Sequence, residues 1–391
     1  MTEIGEIPED WKVAKLGDDK VSELIMGQSP PSSFYNNDGD GMPFLQGNAD
    51  FGDIYPNPNT YCTKPLKIAE SGDILMSVRA PVGELNISAF KSIIGRGLAA
   101  IRCKDKITHS KYLYYYLKYS VPRLRSLSTG STFKEVGKDI LSNFEICLPE
   151  FEEQQKIAEI LSTADESIQK VTEKITITER LKKGLMQTLL TKGIGHTKFK
   201  MTEIGEIPED WVIDNLGNLV EIMDSRRVPL SQIQREGKKR LYPYCGANGI
   251  IDYIDDFIFD EETVLLAEDG GIYGKYEKKA YVMNGKYWVN NHAHVIRGKK
   301  GKMNNKFIHY WLNFSNLNAY INGSTRTKLN QDSLKNILIP KVSLFEQQKI
   351  AEILSTVDDK LELLKNKREH LGKLKKGLMD DLLTGRVRVK T

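Results

Sequence analysis

Two stretches of this sequence decide its fold: EQQKIAEILSTADESIQKVTEKITITERLKKGLMQTLLT (153–191) and EQQKIAEILSTVDDKLELLKNKREHLGKLKKGLMDDLLT (346–384). They align with each other without a gap. Each would form a helix roughly 60 Å long at about 1.5 Å of rise per residue. An ordinary globular domain has no need of two such helices of matched length, so we expect them to hold two other parts of the chain at a fixed separation.

Apolar residues recur along both stretches at alternating intervals of three and four, which is typical of the seam of a coiled coil. The seam positions are Ile157, Leu161, Ala164, Ile168, Val171, Ile175, Leu181, Leu185 and Leu189 in the first copy, and Ile350, Leu354, Val357, Leu361, Leu364, Leu374, Leu378 and Leu382 in the second. Arg368 stands where the first copy has Ile175. A polar residue at a seam can fix the register, but we favour the interpretation that Arg368 extends its charge out of the seam edge.

Residues near the ends of these stretches predict where the helices begin and end. Ser343 and Glu346 have the spacing of a capping box. Gly193 and Gly385 follow the last leucines, as glycines do where helices stop. Each helix also contains an internal glycine, at a cost of about 1 kcal/mol relative to alanine. These glycines, at positions 184 and 377, indicate a close helix approach or a partner contact, with common ancestry of the copies as the alternative.

The rest of the chain is duplicated as well. The peptide MTEIGEIPEDW occurs at 1–11 and again at 201–211, and weaker matches pair residues 97–102 with 292–297 and 130–136 with 323–329. The predicted domains are therefore a first globular domain (1–150), a first long helix (151–192), a linker (193–200), a second globular domain (201–342), and a second long helix with a tail (343–391).

Short apolar runs between loops rich in Gly, Pro, Asn and Asp predict that both globular parts consist mainly of short strands. Trp11 and Trp211 open the two parts and are predicted to anchor their cores. Residues 111–127 and 306–321 are predicted helices, and the tyrosines of the first (Tyr112, Tyr115, Tyr116 and Tyr119) are assigned to packing rather than to base stacking. The fold class is α+β, with two β-rich globular domains separated by two long helices and related by a pseudo-twofold internal duplication.

Composition limits the function without defining it. The 391 residues are 40% hydrophobic and carry a net charge of +4, which permits nucleic-acid binding but does not require it. The four cysteines are scattered and contain no Cys-x-x-Cys pair, which argues against a zinc site or a disulfide framework. The sequence has neither a signal peptide nor a long apolar run, so we expect a cytoplasmic protein without membrane contact.

Enzyme motifs are few and weak. No phosphate-binding loop or dinucleotide turn occurs, so no cofactor is expected. The residues Ser29-Pro30-Pro31-Ser32 lack the aromatic residue of the amino-methyltransferase motif. Glu277-Lys278-Lys279 fits a nuclease triplet that is common by chance in a charged chain. His292 and His294 share one face of a predicted strand but lack a third metal ligand. We therefore expect no catalytic activity from the chain by itself.

Taken together, the sequence resembles the specificity subunit of type I restriction–modification systems. The resemblance covers essentially the whole chain. It rests on the repeated GEIPEDW, on GQSPPSSFYNNDGDGMPFLQGNADFG (27–52), on VNNHAHVIRG (289–298), and on the twin helices with EQQKIAEIL and KKGLM. No one of these motifs is specific alone; their order and duplication make the match.

The resemblance implies two target-recognition domains joined by two antiparallel helices. Each domain would read one half of a split, asymmetric sequence in double-stranded DNA. Two methyltransferase subunits would bind this chain, and restriction subunits would join them in the full complex. This subunit would supply sequence choice and no catalysis, and the helix pair would set the unread spacer between the two half-sites.

Base edges are read by polar side chains on loops that reach a groove. The candidates in the first domain are Gln28, Ser29, Gln46, Asn48, Arg79, Arg96, Ser131, Thr132 and Lys134. Those in the second domain are Arg226, Arg227, Tyr244, Asn248, Lys275, Asn291, Arg326 and Lys328. Capping of turns is the alternative role for each of them. Two other classes of function also remain at this point: a protein-binding scaffold on a helical ruler, and a self-sufficient nuclease or methyltransferase.

Overall fold

The computed structural model describes residues 6–128, 135–323 and 327–389. The chain divides into two compact units, Met1–Val171 with Lys367–Thr391 and Thr172–Asn366. Each unit combines one globular part with one half of each long helix. Corresponding elements follow in the same order in both units, as the sequence repeat predicts.

The first unit is built from short strands and one buried helix. Its strands are β1 (Lys12–Lys15), β2 (Ser22–Met26), β3 (Tyr35–Asn36), β4 (Met42–Leu45), β5 (Tyr61–Cys62), β6 (Ile68–Ala69), β7 (Ile74–Ser77), β8 (Leu85–Ile87), β9 (Ser92–Ile94), β10 (Leu98–Cys103) and β11 (Glu145–Leu148). Its helices are α1 (Ser110–Ser126), α2 (Lys138–Ser142) and the first half of α3 (Phe151–Thr191). Short 3-10 turns lie at Ser32–Phe34 and Asn48–Asp50.

The second unit repeats this plan and begins with a hairpin. Its strands are β12 (Phe199–Thr202), β13 (Gly205–Pro208), β14 (Val212–Asn215), β15 (Val220–Ile222), β16 (Tyr242–Gly246), β17 (Gly249–Ile254), β18 (Phe259–Asp260), β19 (Thr263–Ala267), β20 (Ala280–Met283), β21 (Lys286–Val289), β22 (Ala293–Gly298) and β23 (Leu338–Lys341). Its helices are α4 (Leu216–Leu219), α5 (Gln232–Arg235), α6 (Asn305–Phe314), α7 (Gln331–Lys335) and the first half of α8 (Leu344–Leu383), with 3-10 turns at Asp224–Arg226 and Asn318–Tyr320.

Each unit contains two sheets whose strand orders match, apart from one extra edge strand, β3, in the first unit. The antiparallel sheets run β2-β10-β7-β8 and β15-β22-β19-β20. The mixed sheets run β3-β5-β4-β9-β6 and β17-β16-β21-β18, and each contains one parallel pair, β4 with β9 and β16 with β21. Two further pairs, β1 with β11 and β14 with β23, join the start of each globular part to its end. The two units therefore share one fold.

The central strands explain why the sequence shows apolar runs there rather than alternation. In β7, Ile74 and Met76 pack into the core beside α1, whereas Leu75 packs into a second core against the mixed sheet. In β19, Val264 and Leu266 face one core and Leu265 the other. A strand that is covered on both faces buries every side chain, so its sequence is continuously apolar.

The long helices are confirmed and nearly equal in length, at 41 and 40 residues. Within the second unit, Glu179 pairs with Lys365 and Lys182 with Asp358, so α3 and α8 run antiparallel there. Both helices end before a glycine with positive φ, Gly193 at 63° and Gly385 at 72°. The helices and their stop signals were therefore predictable from the sequence, while their coiled-coil character remains a prediction.

Two details of the predicted seam are wrong. Leu181 and Leu374, which occupy equivalent positions, are 53% and 57% exposed. Both side chains turn outward, because the pattern changes phase at this point. Among the residues that the structure describes, nothing outside the helix itself lies within 4 Å of a methyl group added at Gly184 or Gly377. The predicted close helix approach is therefore wrong for both glycines. Arg368 is exposed, as favoured.

The start of α8 departs from a complete capping box. The backbone N–H of Glu346 donates to Ser343 Oγ at 3.2 Å, as predicted. The Glu346 carboxylate instead accepts from Trp211 Nε1 and from the backbone N–H of Ile194.

Helix α6 ends at Phe314, before the predicted residue 321, because the ammonium of Lys279 donates hydrogen bonds to the carbonyl groups of Leu312 and Ser315.

The predicted core roles are confirmed for both tryptophans and for three of the four tyrosines. Trp11 and Trp211 are buried, as are Tyr112, Tyr115 and Tyr116 of α1. Tyr119 is partly exposed, and its hydroxyl donates to Asp380. No helix in the described part of the chain is both long enough and apolar enough to cross a membrane.

Candidate nucleic-acid interface

In the first unit, six of the predicted reading residues lie on loops that meet at one end of the sheets. The backbone N–H of Arg96 donates to Ser29 Oγ at 3.2 Å, and that of Gln28 donates to the carbonyl of Ile94 at 2.9 Å. The N–H of Gly95 donates to Leu45, which precedes Gln46. The structure thus joins the loops after β2, β4 and β9.

Two glycines make this convergence possible. A Cβ atom on Gly97 would lie 2.8 Å from the carbonyl oxygen of Gln46. A Cβ atom on Gly27 would lie 2.1 Å from that of Gly95. No side chain fits at either place, so the backbones of the three loops pack directly on one another. The loops form a platform from which their polar side chains extend.

The side chains on this platform are mostly accessible. Gln28, Gln46, Arg79 and Arg96 are exposed, and Ser29 and Asn48 are partly buried. Arg79 lies 3.5 Å from Glu135, but both side chains are about half exposed, and such a pair contributes only about 0–1 kcal/mol. Arginine and amide donors are therefore available here to an acceptor in solution.

The second unit brings together a corresponding set of loops. Asn248 Nδ2 donates to the carbonyl of Gly270, and the N–H of Asn290, beside Asn291, donates to Cys245. Asp269 and Lys328 form an isolated β-bridge. Asn248, Asn291 and Lys328 are exposed. These three predicted residues thus occupy one surface.

Arg227, also predicted to read DNA, lies beneath this surface in an ionic network. Its Nη1 donates to Glu268 at 2.5 Å and to the carbonyl of Ala293 at 2.8 Å. Lys328 Nζ lies 2.9 Å from the other oxygen of Glu268. Burial opposes ionisation of Glu268, but its hydrogen bonds from Arg227 and Lys328 outweigh burial and lower its pKa. Arg227 thus supports the loops from inside.

His294 completes the network. Its Nδ1 lies 2.6 Å from Asp224, and its Nε2 lies 2.7 Å from the carbonyl of Leu329. Burial of Asp224 raises its pKa, but the hydrogen bonds from His294 and Val295 and the charge of Arg227 outweigh burial, and the pKa is lowered. The loop that carries Lys328 is therefore tied to the core.

The same network contains a possible metal-ligand set. One atom each from Asp224, Glu268 and His294 lies within 4.8 Å of the others. Each of these groups already has a partner within the protein. Arg227 pairs with both carboxylates, Lys328 pairs with Glu268, and both ring nitrogens of His294 face acceptors. The geometry fits an internal ionic network better than a cation site. His292, which the sequence places on the same face, pairs with Asp269 at 2.8 Å.

Three other predicted residues lie away from this surface. Arg226 pairs with Glu261 at 2.7 Å and covers the ring of Phe259. Lys275 donates to Gln187 of α3. Tyr244 is buried, and its hydroxyl accepts from the backbone of Leu230, so contact with DNA would require this ring to leave the core. Ser131, Thr132, Lys134 and Arg326 lie outside the described residues.

Sequence reasoning missed a set of anchors that the duplicated helices share. The first is a carboxylate at the start of each long helix. Glu153 accepts from Trp11 Nε1 at 3.2 Å, and Arg388 donates to it and to Asp10. In the second unit Glu346 accepts from Trp211 at 3.3 Å, and His196, the counterpart of Arg388, lies between Glu346 and Asp210.

The second shared anchor is the glutamine that follows. Gln154 and Gln347 are fully buried. Gln154 donates to the carbonyls of Ile107 and Pro149 and accepts from the N–H of His109. Gln347 makes the same three bonds to equivalent backbone groups, namely those of Lys302, Val342 and Asn304. Each glutamine ties the start of a long helix to the loop before the helix of its globular part, α1 in the first unit and α6 in the second.

The third anchor is a clamp of tyrosine, aspartate and lysine. Tyr115 donates to Asp165 at 2.8 Å, and Lys375 lies 2.5 Å from the same carboxylate. In the second unit Tyr310 donates to Asp358 at 2.8 Å, and Lys182 lies 2.5 Å from it. Each clamp joins the helix of one globular part, α1 or α6, to both long helices. Identity of these residues in the two copies was the available signal.

The nuclease-like triplet has a structural role at Lys279. The side chain is buried and donates to the carbonyls that end α6, and burial lowers its pKa to about 8. The hydroxyl of Ser29, in the other weak enzyme motif, accepts from the N–H of Arg96. Both residues are explained by local backbone contacts.

Comparison with known proteins agrees with this architecture. The family described as Type I restriction modification DNA specificity domain matches residues 8–179 and 208–373. The putative type I restriction enzyme MjaX specificity subunit of Methanocaldococcus jannaschii is 51% identical to this chain. That match covers 49% of this chain and 45% of the relative. The MjaVIII specificity subunit from the same organism is 30% identical, over 98% of this chain and 94% of the relative.

Solved structures give the same fold. The S subunit of a type I restriction-modification system from M. genitalium has a TM-score of 0.67 over 98% of both chains, at 16% identity. The family match covers both halves of the duplication, and the MjaVIII match runs nearly from end to end. The chain therefore belongs to the family of type I restriction modification DNA specificity domains.

Proposed function

We propose that this chain is the non-catalytic sequence-recognition subunit of a type I restriction–modification enzyme. Each globular part reads one half of a bipartite, asymmetric site in double-stranded DNA. The observation that carries this proposal is the contrast within the duplication: the anchors to the long helices are the same in both units, whereas the converging loops differ. A shared frame with two different loop sets is what two separate sequence specificities require.

The chemistry of the loops supports contact with DNA. The platform of the first unit offers the exposed donors of Gln28, Gln46 and Arg96, and the corresponding loops of the second unit offer those of Asn248 and Asn291. Arginine and amide side chains are the groups that make paired hydrogen bonds to base edges in the major groove. Lys328 is exposed on this surface although its ammonium pairs with Glu268, and lysines near DNA add an attraction to phosphates that is independent of sequence and weakened by salt.

The long helices are proposed to form an antiparallel coiled coil that sets the unread spacer. A helix of about 40 residues is roughly 60 Å long, which exceeds the ~34 Å of one DNA turn between half-sites. The clamps support this role, because each fixes a reading unit to both helices at once. A rigid connection is what converts helix length into a fixed number of base pairs.

Two methyltransferase subunits are the proposed partners of the helices, with restriction subunits joining in the full complex. Each helix presents an outward leucine one turn before an exposed glycine: Leu181 with Gly184, and Leu374 with Gly377. An exposed leucine beside an uncovered helix backbone allows another helix to approach closely. Because the patch occurs once per helix, two copies of one partner fit the two patches.

The test is a map of methylated bases. The chain is expressed with the methyltransferase encoded beside it, in a host without methylation, and modified adenines are located by long-read sequencing. We expect a split motif of two short specified blocks around an unspecified gap. Methylation that does not depend on this chain, with the methyltransferase shown to be folded, would overturn the proposal and favour a protein-binding scaffold.

The spacer is tested separately by lengthening both helices at the boundary between the units. Four residues are inserted after Val171 and four after Asn366, which leaves both clamps intact. The added rise of about 6 Å corresponds to roughly two base pairs at ~3.4 Å each, so the unread gap should lengthen by that amount. An unchanged gap with both blocks retained would contradict the spacer role.

A further inference from the structure

Arg96 and Asn291 occupy the same position in the two units. Each follows the inner strand of the parallel pair, β9 or β21, in which Ile94 pairs with Leu45 and Val289 with Cys245. In both units the next residue donates its N–H to a carbonyl of the paired strand. Gly95 donates to Leu45 at 2.8 Å, and Asn290 donates to Cys245 at 3.0 Å. Arg96 and Asn291 come directly after these residues.

The backbone beneath Arg96 is held on several sides. Its N–H donates to Ser29 Oγ, and the N–H of Leu98 closes a turn onto Gly95 at 2.9 Å. Glycines flank Arg96 on both sides and pack against Gln46. Among the residues that the structure describes, no carboxylate lies within ion-pair distance of its guanidinium. The planar group of five donors therefore projects from a fixed base with its hydrogen-bonding capacity available.

The backbone beneath Asn291 is fixed by different means. The side chain of Asn290 is buried, and its Oδ1 accepts from the N–H of His292 at 2.8 Å. The ring of His292 pairs with Asp269, and the backbone carbonyl of His292 accepts from the backbone N–H of Glu268 at 2.9 Å. Both neighbours of Asn291 are thus immobilised, while Asn291 itself is exposed. A fixed backbone limits the conformational entropy that is lost when the Asn291 amide binds.

The two side chains suit different bases. A guanidinium makes paired hydrogen bonds to the two acceptors of guanine, O6 and N7, whereas an asparagine amide matches the donor and acceptor of adenine, N6 and N7. Building on the proposed DNA-reading function, we propose that positions 96 and 291 are equivalent specificity-determining positions, at which Arg96 selects guanine in one half-site and Asn291 selects adenine in the other.

The charges around the two positions support this assignment. A second arginine, Arg79, lies on the first platform, where both acceptors of guanine would be favoured. The residue equivalent to Arg79 in the second unit is Asp269, since each forms the same isolated bridge, with Glu135 and with Lys328 respectively. The Asp269 carboxylate lies 2.8 Å from the ring of His292, the residue after Asn291, and a carboxylate there favours bases that present a donor. Adenine presents a donor in the major groove, whereas guanine presents none.

The experiment is methylation mapping with the complete complex, using Arg96→Ala and Asn291→Ala. Lys111→Ala is the matched control, because it removes an exposed charge from the first unit at the start of α1, beyond the other end of β10. Arg96→Ala should relax one G·C pair in one block and lower discrimination there by roughly 10- to 100-fold. Asn291→Ala should relax one A·T pair in the other block, and the control should leave the motif unchanged.

Selection from randomised DNA by the purified complexes separates base reading from phosphate contact. Base reading predicts loss of preference at one position with the other positions kept. An equal loss of affinity for all sequences, with a salt slope reduced by about one, would assign the residue to phosphate and overturn the inference. Relaxation at a pair other than G·C for Arg96, or A·T for Asn291, would also overturn it. A wild-type complex without a split motif would instead remove the proposed function.

Discussion

The two units solve the same packing problem with opposite chemistry. Beneath the loops of the first unit lie Val78 and Ala99, which belong to its apolar core. The equivalent residues of the second unit are Glu268 and His294, since Ala99 pairs with Met76 and His294 with Leu266 in the same register. The comparison shows that a common backbone accepts either solution, provided that every buried charge has its partner.

The largest expected difference comes from breaking the ionic solution. Glu268→Ala removes the carboxylate that contacts both Arg227 and Lys328, leaves Arg227 only its 3.5 Å pair with Asp224, and should destabilise the second unit by about 3 kcal/mol. Glu135→Ala in the first unit removes the half-exposed partner of Arg79 and should cost at most about 1 kcal/mol. Hydrogen exchange of peptides from each unit measures both effects. Equal losses in the two units would mean that the buried network contributes no more than a surface pair.

The second difference is a dependence on pH. Burial lowers the pKa of His309 to about 4, whereas the equivalent residue of α1 is Tyr114. The unfolded chain binds a proton at His309 below about pH 6.5 and the folded second unit does not, so its stability should fall as pH drops from about 6.5 to 4. The loss approaches about 3 kcal/mol at the lower end.

His309→Tyr, which copies the first unit, should flatten this profile. The check is denaturant unfolding of both chains at several pH values, with exchange from first-unit peptides as the internal reference. A profile that is equally steep in the variant would assign the acid sensitivity to other groups.

The clamps offer a finer comparison because their burial differs. The side chains of Asp165 and Lys375 are 18% and 13% exposed, against 34% and 27% for Asp358 and Lys182. Asp165→Asn should therefore cost about 2–3 kcal/mol, since it weakens hydrogen bonds to a buried charge, and Asp358→Asn about 1 kcal/mol. Urea titrations of the two variants measure the difference. The reverse order would show that burial does not set the strength of the clamps.

The smallest expected effects are at the internal glycines. Gly184→Ala and Gly377→Ala should each stabilise the isolated chain by about 0.5–1 kcal/mol, because nothing crowds the added methyl group and alanine favours a helix. If methyltransferase subunits bind these two places, both variants should bind them more weakly. Thermal unfolding and titration with the methyltransferase give the two readings, and unaltered binding would leave the glycines without a partner role.

The repeat made the fold predictable, and physical context explains what it left out. Two gap-free copies were enough to place both helices and the order of the globular parts. Gln28, Gln46 and Arg96 were predictable as loop residues because glycines mark the loops that hold them, but that these loops meet at one surface was not. Arg227 and Tyr244 were indistinguishable from these in sequence, since their burial depends on distant residues such as Glu268 and Leu230. Leu181 fitted the heptad pattern, which gives spacing but not the side that faces a partner.

The division of each long helix between the units has a consequence for how the protein is made. The core of the first unit includes Leu382 and Leu383, and its clamp needs Lys375. These residues leave the ribosome some 200 residues after Leu161, on which that core also depends, or roughly 10–40 s later at 5–20 residues per second. During that interval the nascent first unit carries an uncovered apolar face. Its folding can finish only when the last turns of the chain have been translated.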